Sequence, residues 1–184
     1  LLQGAFEQSK LPYTFDIVLY NNQVSKKLRD AIDAEGKLLF CIDEGRRVMT
    51  VERIRLKWED YHRALGRLHT ALEKDADTDD MYLDATIQRF EFCFELAWKL
   101  IKAVLEYEGI EANSPRGCIR EGWKQGLISD AEAWLEMMEK RNLSSHTYDE
   151  NVAREIYHDV KERYAALLES FDQTMNDWQS DTGA

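Results

Sequence analysis

Arg89-Phe90-Glu91-Phe92-Cys93-Phe94-Glu95-Leu96-Ala97-Trp98-Lys99 is the stretch whose reading decides the fold. Within it Phe90, Phe94 and Trp98 recur every fourth residue, and the series runs back to Ile87 and on to Ile101 and Leu105. Spacings of three and four place all six on one face of a helix, predicted over about 81–108. Leu83, Phe92, Leu96 and Leu100 fall off that stripe. A helix with two apolar sides is either central to its bundle or shared with a second subunit. Gly109 ends it in the manner of a C-terminal cap.

Working outward, Ile54, Trp58, Tyr61, Leu65, Leu68 and Leu72 form a single apolar stripe on a preceding helix over 51–74. The aspartates of 75–80 break it. Their alternation resembles a calcium loop, but Asp80 and Thr86 stand where that loop needs glycine and glutamate, so the segment reads as a solvated turn. Downstream, Ser114 with Pro115 opens a short helix that Gly126 closes. Ser129-Asp130-Ala131-Glu132 has the form of a capping box before a helix carrying Trp134, Leu135 and Met138. A last helix, about 149–171, presents Val152, Ile156, Val160, Tyr164, Leu167, Leu168 and Phe171 to a core. The fold class is therefore mainly α: an antiparallel bundle of four to five helices over 51–171, followed by a polar, fraying tail at 172–184 in which Trp178 is the one candidate to pack. Before it, 1–42 form a short α/β piece, with a strand over 11–19 and a helix holding Val24, Leu28 and Ile32, and 43–50 are a linker.

Composition suits this reading. The 184 residues are 44% hydrophobic, with five Trp and two Pro, enough for one substantial core. No apolar run reaches the ~18–20 residues of a membrane span, and no signal peptide is visible. Cys41, Cys93 and Cys118 are far apart and lack metal-site spacing, which points to reduced thiols in a cytoplasmic protein. The net charge of −11 falls entirely on residues 49–184. Such acidity disfavours general nucleic-acid binding, because that affinity comes from phosphate neutralisation. A cleft needs only a local positive field, however, and Arg116, Arg120, Lys124, Lys140 and Arg141 are candidates to supply it.

The chemistry-bearing stretch is Arg141-Asn142-Leu143-Ser144-Ser145-His146-Thr147-Tyr148. It gathers a permanent cation, a group titrating near neutral pH and a phenol. Histidine can move a proton from a ribose 2′-OH to a leaving oxygen. Arginine offers a fork of donors to a phosphate gaining charge in the transition state. The bare spacing also fits a solvated Arg141 and a His146 that is only a loop residue.

In its order, the aromatic helix at 89–99, Ser114-Pro115-Arg116, Trp134-Leu135-Glu136-Met137-Met138 and then Arg-x4-His-x-Tyr, the chain resembles the HEPN superfamily over about 52–171. More narrowly it is similar to the helical toxins of HEPN/MNT toxin–antitoxin systems, formerly called nucleotidyltransferase substrate-binding proteins. The resemblance implies a metal-independent endoribonuclease acting as a homodimer, its two signature elements facing each other, with no cofactor of its own. It also implies an antitoxin partner, a minimal nucleotidyltransferase, separate or fused, that uses ATP and Mg²⁺ to add AMP to Tyr148. In that reading Arg141 steadies the scissile phosphate of an RNA, His146 is the base, and Asn142 fixes the ring or the phosphate. The alternative is a non-catalytic subunit that binds a nucleotide or substrate for a nucleotidyltransferase, and a third reading is a purely structural bundle. Residues 1–42 resemble the C-terminal end of a minimal nucleotidyltransferase, with Asp16 matching a third carboxylate. The Gly-Ser turn and the carboxylate cluster that hold triphosphate and paired Mg²⁺ are missing, so this piece cannot perform the transfer. It is expected to be the remnant of a fused domain, or else sequence upstream of a start at Met49.

Overall fold

A computed structural model describes residues 41–43, 46–74, 76, 79–144 and 149–182, together with the helical and exposed Lys26. The chain divides into two compact units, Leu1–Lys37 and Leu38–Ala184, and the second is the one described below. The strand expected over 11–19, the helix around Val24 to Ile32 (Lys26 apart) and Asp16 all lie outside the described residues.

Where a linker over 43–50 was expected, 46–48 are a strand. β1 (Cys41–Asp43) pairs antiparallel with β2 (Arg46–Val48), with Ile42 opposite Arg47. From Val51 onward every described element is helical. The Thr50 hydroxyl accepts from the Arg53 N–H at 3.3 Å and starts α1 (Val51–Leu72). Asp79 does the same for α2 (Asp80–Tyr107), accepting from the Met81 N–H at 2.9 Å. Threonine and aspartate at these positions satisfy amide donors that have no partner inside the helix. Ser114 caps α3 (Pro115–Lys124), and Gly109 and Gly126, at φ of 76° and 75°, take the left-handed turn that ends α2 and α3. The cap of α4 (Ala131–Leu143) is Asp130, accepting from the Ala133 N–H at 3.0 Å, one residue later than the capping box at Ser129 predicts.

The final helical rod departs most from expectation. α5 (Glu150–Asp159) passes through a π-helical turn, Val160–Tyr164, into α6 (Ala165–Thr182). The expected frayed tail is thus helical to Thr182. Met175 and Gln179 are buried and the Trp178 ring meets Tyr107 edge-on at 5.8 Å, because Leu168, Phe171, Met175 and Trp178 continue one stripe at spacings of three and four.

α2 is central and packs against α1, α3, α4, α5 and α6. A chain of rings joins four of these helices: Phe94 lies 6.4 Å from Trp134, Trp134 5.6 Å from Phe171, and Phe171 5.4 Å from Tyr61. The Tyr61 hydroxyl donates to the Leu168 carbonyl at 2.6 Å, so the ring is buried without orphaning its polar end. α3 lies close on α2 through Gly122, where a Cβ would come within 2.8 Å of Ile101. Of the predicted α2 stripe, Ile87, Phe90, Phe94, Ile101 and Leu105 are buried, while Trp98 is only half-buried. Phe92, off the stripe, is 58% exposed.

Candidate active site

The C-terminal end of α4 is fixed by two carboxylates one turn apart on α2. Glu95 Oε1 takes the Arg141 Nη2 at 2.9 Å. Glu91 meets the buried Ser144 hydroxyl, which also lies 2.5 Å from the Arg141 carbonyl. The second oxygen of Glu95 accepts from Trp98 Nε1 at 3.1 Å and faces Lys99 Nζ at 3.2 Å. Arg141 sits in the last turn of α4, where a cation complements the helix dipole. Its Nε is shielded from solvent and has no acceptor among the described residues. One edge of the guanidinium is therefore held by Glu95, and the half-buried side chain keeps a permanent cation at this end of α4.

Arg141 fronts a cleft of about 670 Å³ between α1 and α2, lined by Asp60, Arg63, Ala64 and Arg67 from α1 and Arg89, Phe92, Glu95, Leu96 and Lys99 from α2. Five of these side chains are cationic and two are acidic. In a chain of 24 basic and 35 acidic residues, that is a local inversion of the overall balance. Asp60 is engaged by Arg63, and Arg89 donates to the Arg67 carbonyl at 2.8 Å. The exposed Arg67 guanidinium has no carboxylate partner among the described residues.

The other cations singled out in the sequence lie away from this lining. Arg116 pairs with Glu139 at 3.1 Å, Lys124 with Glu121 at 2.8 Å, and Arg120 is exposed on α3. Lys140 bridges Glu155 at 2.5 Å and Asp159 at 3.0 Å. Burial pulls its ammonium pKa down, but hydrogen bonds to those two carboxylates outweigh that and leave it raised. Asn142 is exposed on α4, next to Arg141. His146 and Tyr148 lie outside the described residues, between Ser144 and Asp149, whose side chain caps α5. The remaining histidines are elsewhere: His62 bonds Asp172 at 2.8 Å, His69 faces Glu169 at 3.8 Å, and His158 is exposed on α5.

Sequence reading missed Arg63, Arg67, Arg89, Phe92 and Lys99. A signal was available. Residues 89, 92, 96 and 99 are spaced three, four and three apart, and 60, 63 and 67 three and four, so each set is a second stripe on its helix. Nothing in the sequence says that these two stripes face each other.

Residues 56–177 match the family described as nucleotidyltransferase substrate binding protein like. That span contains every residue lining the cleft. A probable ribonuclease HepT from Haemophilus influenzae is 34% identical over 83 residues, 42% of this chain and 57% of that relative. The chain thus spans little more than half the length of that curated protein. A crystal structure of a Thermus thermophilus protein superposes with a TM-score of 0.57 at 38% identity, over 62% of this chain and 98% of that one. A Haemophilus influenzae structure, solved as the fold of a substrate binding domain of a nucleotidyltransferase, gives a TM-score of 0.49 at 21% identity, over 69% of this chain and 99% of that one.

Proposed function

Because this chain belongs to the nucleotidyltransferase substrate binding protein like family, the HEPN type that its sequence resembles, we propose that it is the endoribonuclease toxin of a toxin–antitoxin pair with a minimal nucleotidyltransferase. The observation that carries the reading is Arg141: it is anchored by Glu95 at the mouth of a cation-lined cleft and leads in sequence directly into Asn142 and His146. His146 takes the proton from a ribose 2′-OH, the 2′-oxygen bonds to phosphorus, and the P–O5′ bond breaks. The proton returned by His146 leaves with the 5′-hydroxyl, and the other product carries a 2′,3′-cyclic phosphate. Arg141 donates to the non-bridging oxygens as their charge grows, and Asn142 steadies the ring or the phosphate. The attacking group comes from the RNA, so the reaction needs no activated water and is proposed to be metal-independent.

Two such Arg141/His146 sets facing each other in a twofold homodimer make a partly desolvated groove, in which each charge acts more strongly than at an open helix end. Tyr148 is the proposed handle for the antitoxin. The phenol oxygen attacks the α-phosphorus of ATP, with Mg²⁺, pyrophosphate leaves and the phenolic proton is lost, and the AMP so attached is an anion that blocks RNA and competes for the Arg141 guanidinium.

The test is incubation of the purified chain with total RNA, with and without EDTA, beside Arg141→Ala and His146→Ala. Cutting that survives EDTA and falls by orders of magnitude in both variants is the expected result. RNA left intact by the wild type points instead to a binding subunit of a nucleotidyltransferase, a reading that the net charge of −11 favours.

A further inference from the structure

The cleft between α1 and α2 extends well beyond Arg141, and its composition is specific. Its two carboxylates are already engaged, Asp60 by Arg63, and Glu95 by Arg141 and Lys99 of the lining and by Trp98 outside it. With five cations against these two carboxylates, the lining keeps a net positive charge on a chain of net charge −11. In its midst the Phe92 ring is 58% exposed, on the same face of α2 as Arg89 and Leu96, three residues before it and four after. What sets Phe92 apart from other exposed apolar side chains, such as Met81 and Trp123, is that its ring stands among cations in the cleft lining. Cations along a groove with an aromatic face among them are the two parts that bind an unpaired nucleic-acid strand. Phosphates follow the charges, and a base stacks on the ring whatever its identity.

Resting on the ribonuclease reading above, we propose that this cleft is a track for single-stranded RNA. Arg67, Arg89 and Lys99 contact its phosphates, Phe92 stacks one base, and the strand is led to Arg141. Arg89 and Lys99 are ten residues apart on α2, about 15 Å along the axis, the length of a few nucleotides. A base can stack on the Phe92 ring only where it is unpaired and unstacked, which favours a single strand over a duplex. A second copy seated along the cleft is a poor occupant, since an isologous contact there would turn Arg63, Arg67, Arg89 and Lys99 on their counterparts, whereas the facing arrangement proposed above brings together only the Arg141 ends. The track also gives the acidic domain a reason to bind RNA locally while repelling it elsewhere.

The experiment uses a fluorescent single-stranded RNA with 2′-O-methyl groups throughout. It has no 2′-hydroxyl nucleophile, so binding is separated from cleavage. Anisotropy titrations across a salt series compare the full chain with Arg67→Ala, Phe92→Ala, Phe92→Trp and Arg163→Ala. The last removes a charge paired with Glu136 outside the cleft. Phe92→Ala is expected to weaken binding about tenfold, with Phe92→Trp restoring it. Arg67→Ala should weaken binding and reduce the slope of log K against log salt by about 0.7. Arg163→Ala should stay within about twofold of wild type, and a blunt duplex should bind less well than the single strand. The two targeted side chains are exposed, and thermal melts of each variant check that the fold is kept.

Unchanged affinity in Phe92→Ala and Arg67→Ala overturns the track, as does an equal loss in Arg163→Ala. Phe92→Ala that splits a dimer in sedimentation, with RNA affinity unchanged, assigns the ring to a contact between copies and also overturns it. The two readings fail separately. Cleft-dependent binding of the methylated strand with natural RNA left uncut refutes the nuclease and keeps the track. Natural RNA cut with unaltered kcat/KM in the cleft variants refutes the track and keeps the nuclease.

Discussion

Glu95 ties together the parts of the site that sequence reading kept apart. It holds Arg141 through one oxygen and Trp98 and Lys99 through the other. We expect Glu95→Gln to lower kcat for RNA cleavage about tenfold or more while leaving KM equal or lower. The neutral amide would release a misdirected guanidinium and also stop competing with phosphate for it. Single-turnover kinetics separate the two effects, and a rise in KM with kcat intact would remove Glu95 from this positioning role. A second residue-scale prediction concerns Cys93, whose thiol burial pushes up to about 12 from its ordinary 9.0. The native state keeps that proton more tightly than the unfolded chain does. The associated stabilisation is therefore complete below pH 9 and is lost as pH rises towards 12. Urea titrations should show stability falling by about 1.4 kcal/mol per pH unit in that window from this group alone, with a shallower fall in Cys93→Ala. Arg141 was legible in the sequence as chemistry. Its restraint by Glu95 was not, because 46 positions separate the partners and no local pattern links them.

At the scale of elements, α2 shows where local reading stops. Over 90–98 the apolar residues Phe90, Phe92, Phe94, Leu96 and Trp98 also alternate, as they would on a strand. The helix is fixed only by the extension to Ile87, Ile101 and Leu105, and by the cap at Asp79. Phe92 then turns outward, away from the core that Phe94 fills. Phe94→Ala should cost about 3–5 kcal/mol, since the ring is buried between helices. Trp98→Ala should cost clearly less, because its indole is half-buried with one edge on Glu95. α6 was the least legible element. Asp172, Asn176, Asp177 and Ser180 make 172–182 read as solvated tail, yet Met175 and Trp178 hold the register of Leu168 and Phe171. Met175→Ala is therefore expected to destabilise by about 2–5 kcal/mol in chemical denaturation. A value near zero would return the segment to the frayed tail.

For the whole molecule, average charge proved a poor guide to a local field. Arg63 and Arg141 are 78 positions apart, and only the packing of α1, α2 and α4 brings them to one cleft. The bundle was legible because helix stripes are local, whereas the cleft is a product of tertiary pairing. If two copies assemble with their Arg141 ends facing, light scattering at micromolar concentration should give twice the monomer mass of 21.6 kDa. A strict monomer with full ribonuclease activity would exclude the facing arrangement. The π turn at Val160–Tyr164 bears on how the chain tolerates change in length. Its Ala165 N–H reaches back five residues to the Val160 carbonyl, so the turn holds one residue more than α-helical winding requires. Deleting a single residue there would allow an unbroken α-helix, and secondary structure alone would register no fault. All that follows would keep its phase, because the wide turn already gives back about the 100° that its extra residue adds, and Leu168, Phe171 and Met175 would stay on the faces of α1 and α2. The wide turn thus corrects angle rather than length: a one-residue deletion there should be tolerated, whereas winding the turn as α-helix at unchanged length would swing Leu168, Phe171 and Met175 by about 100°.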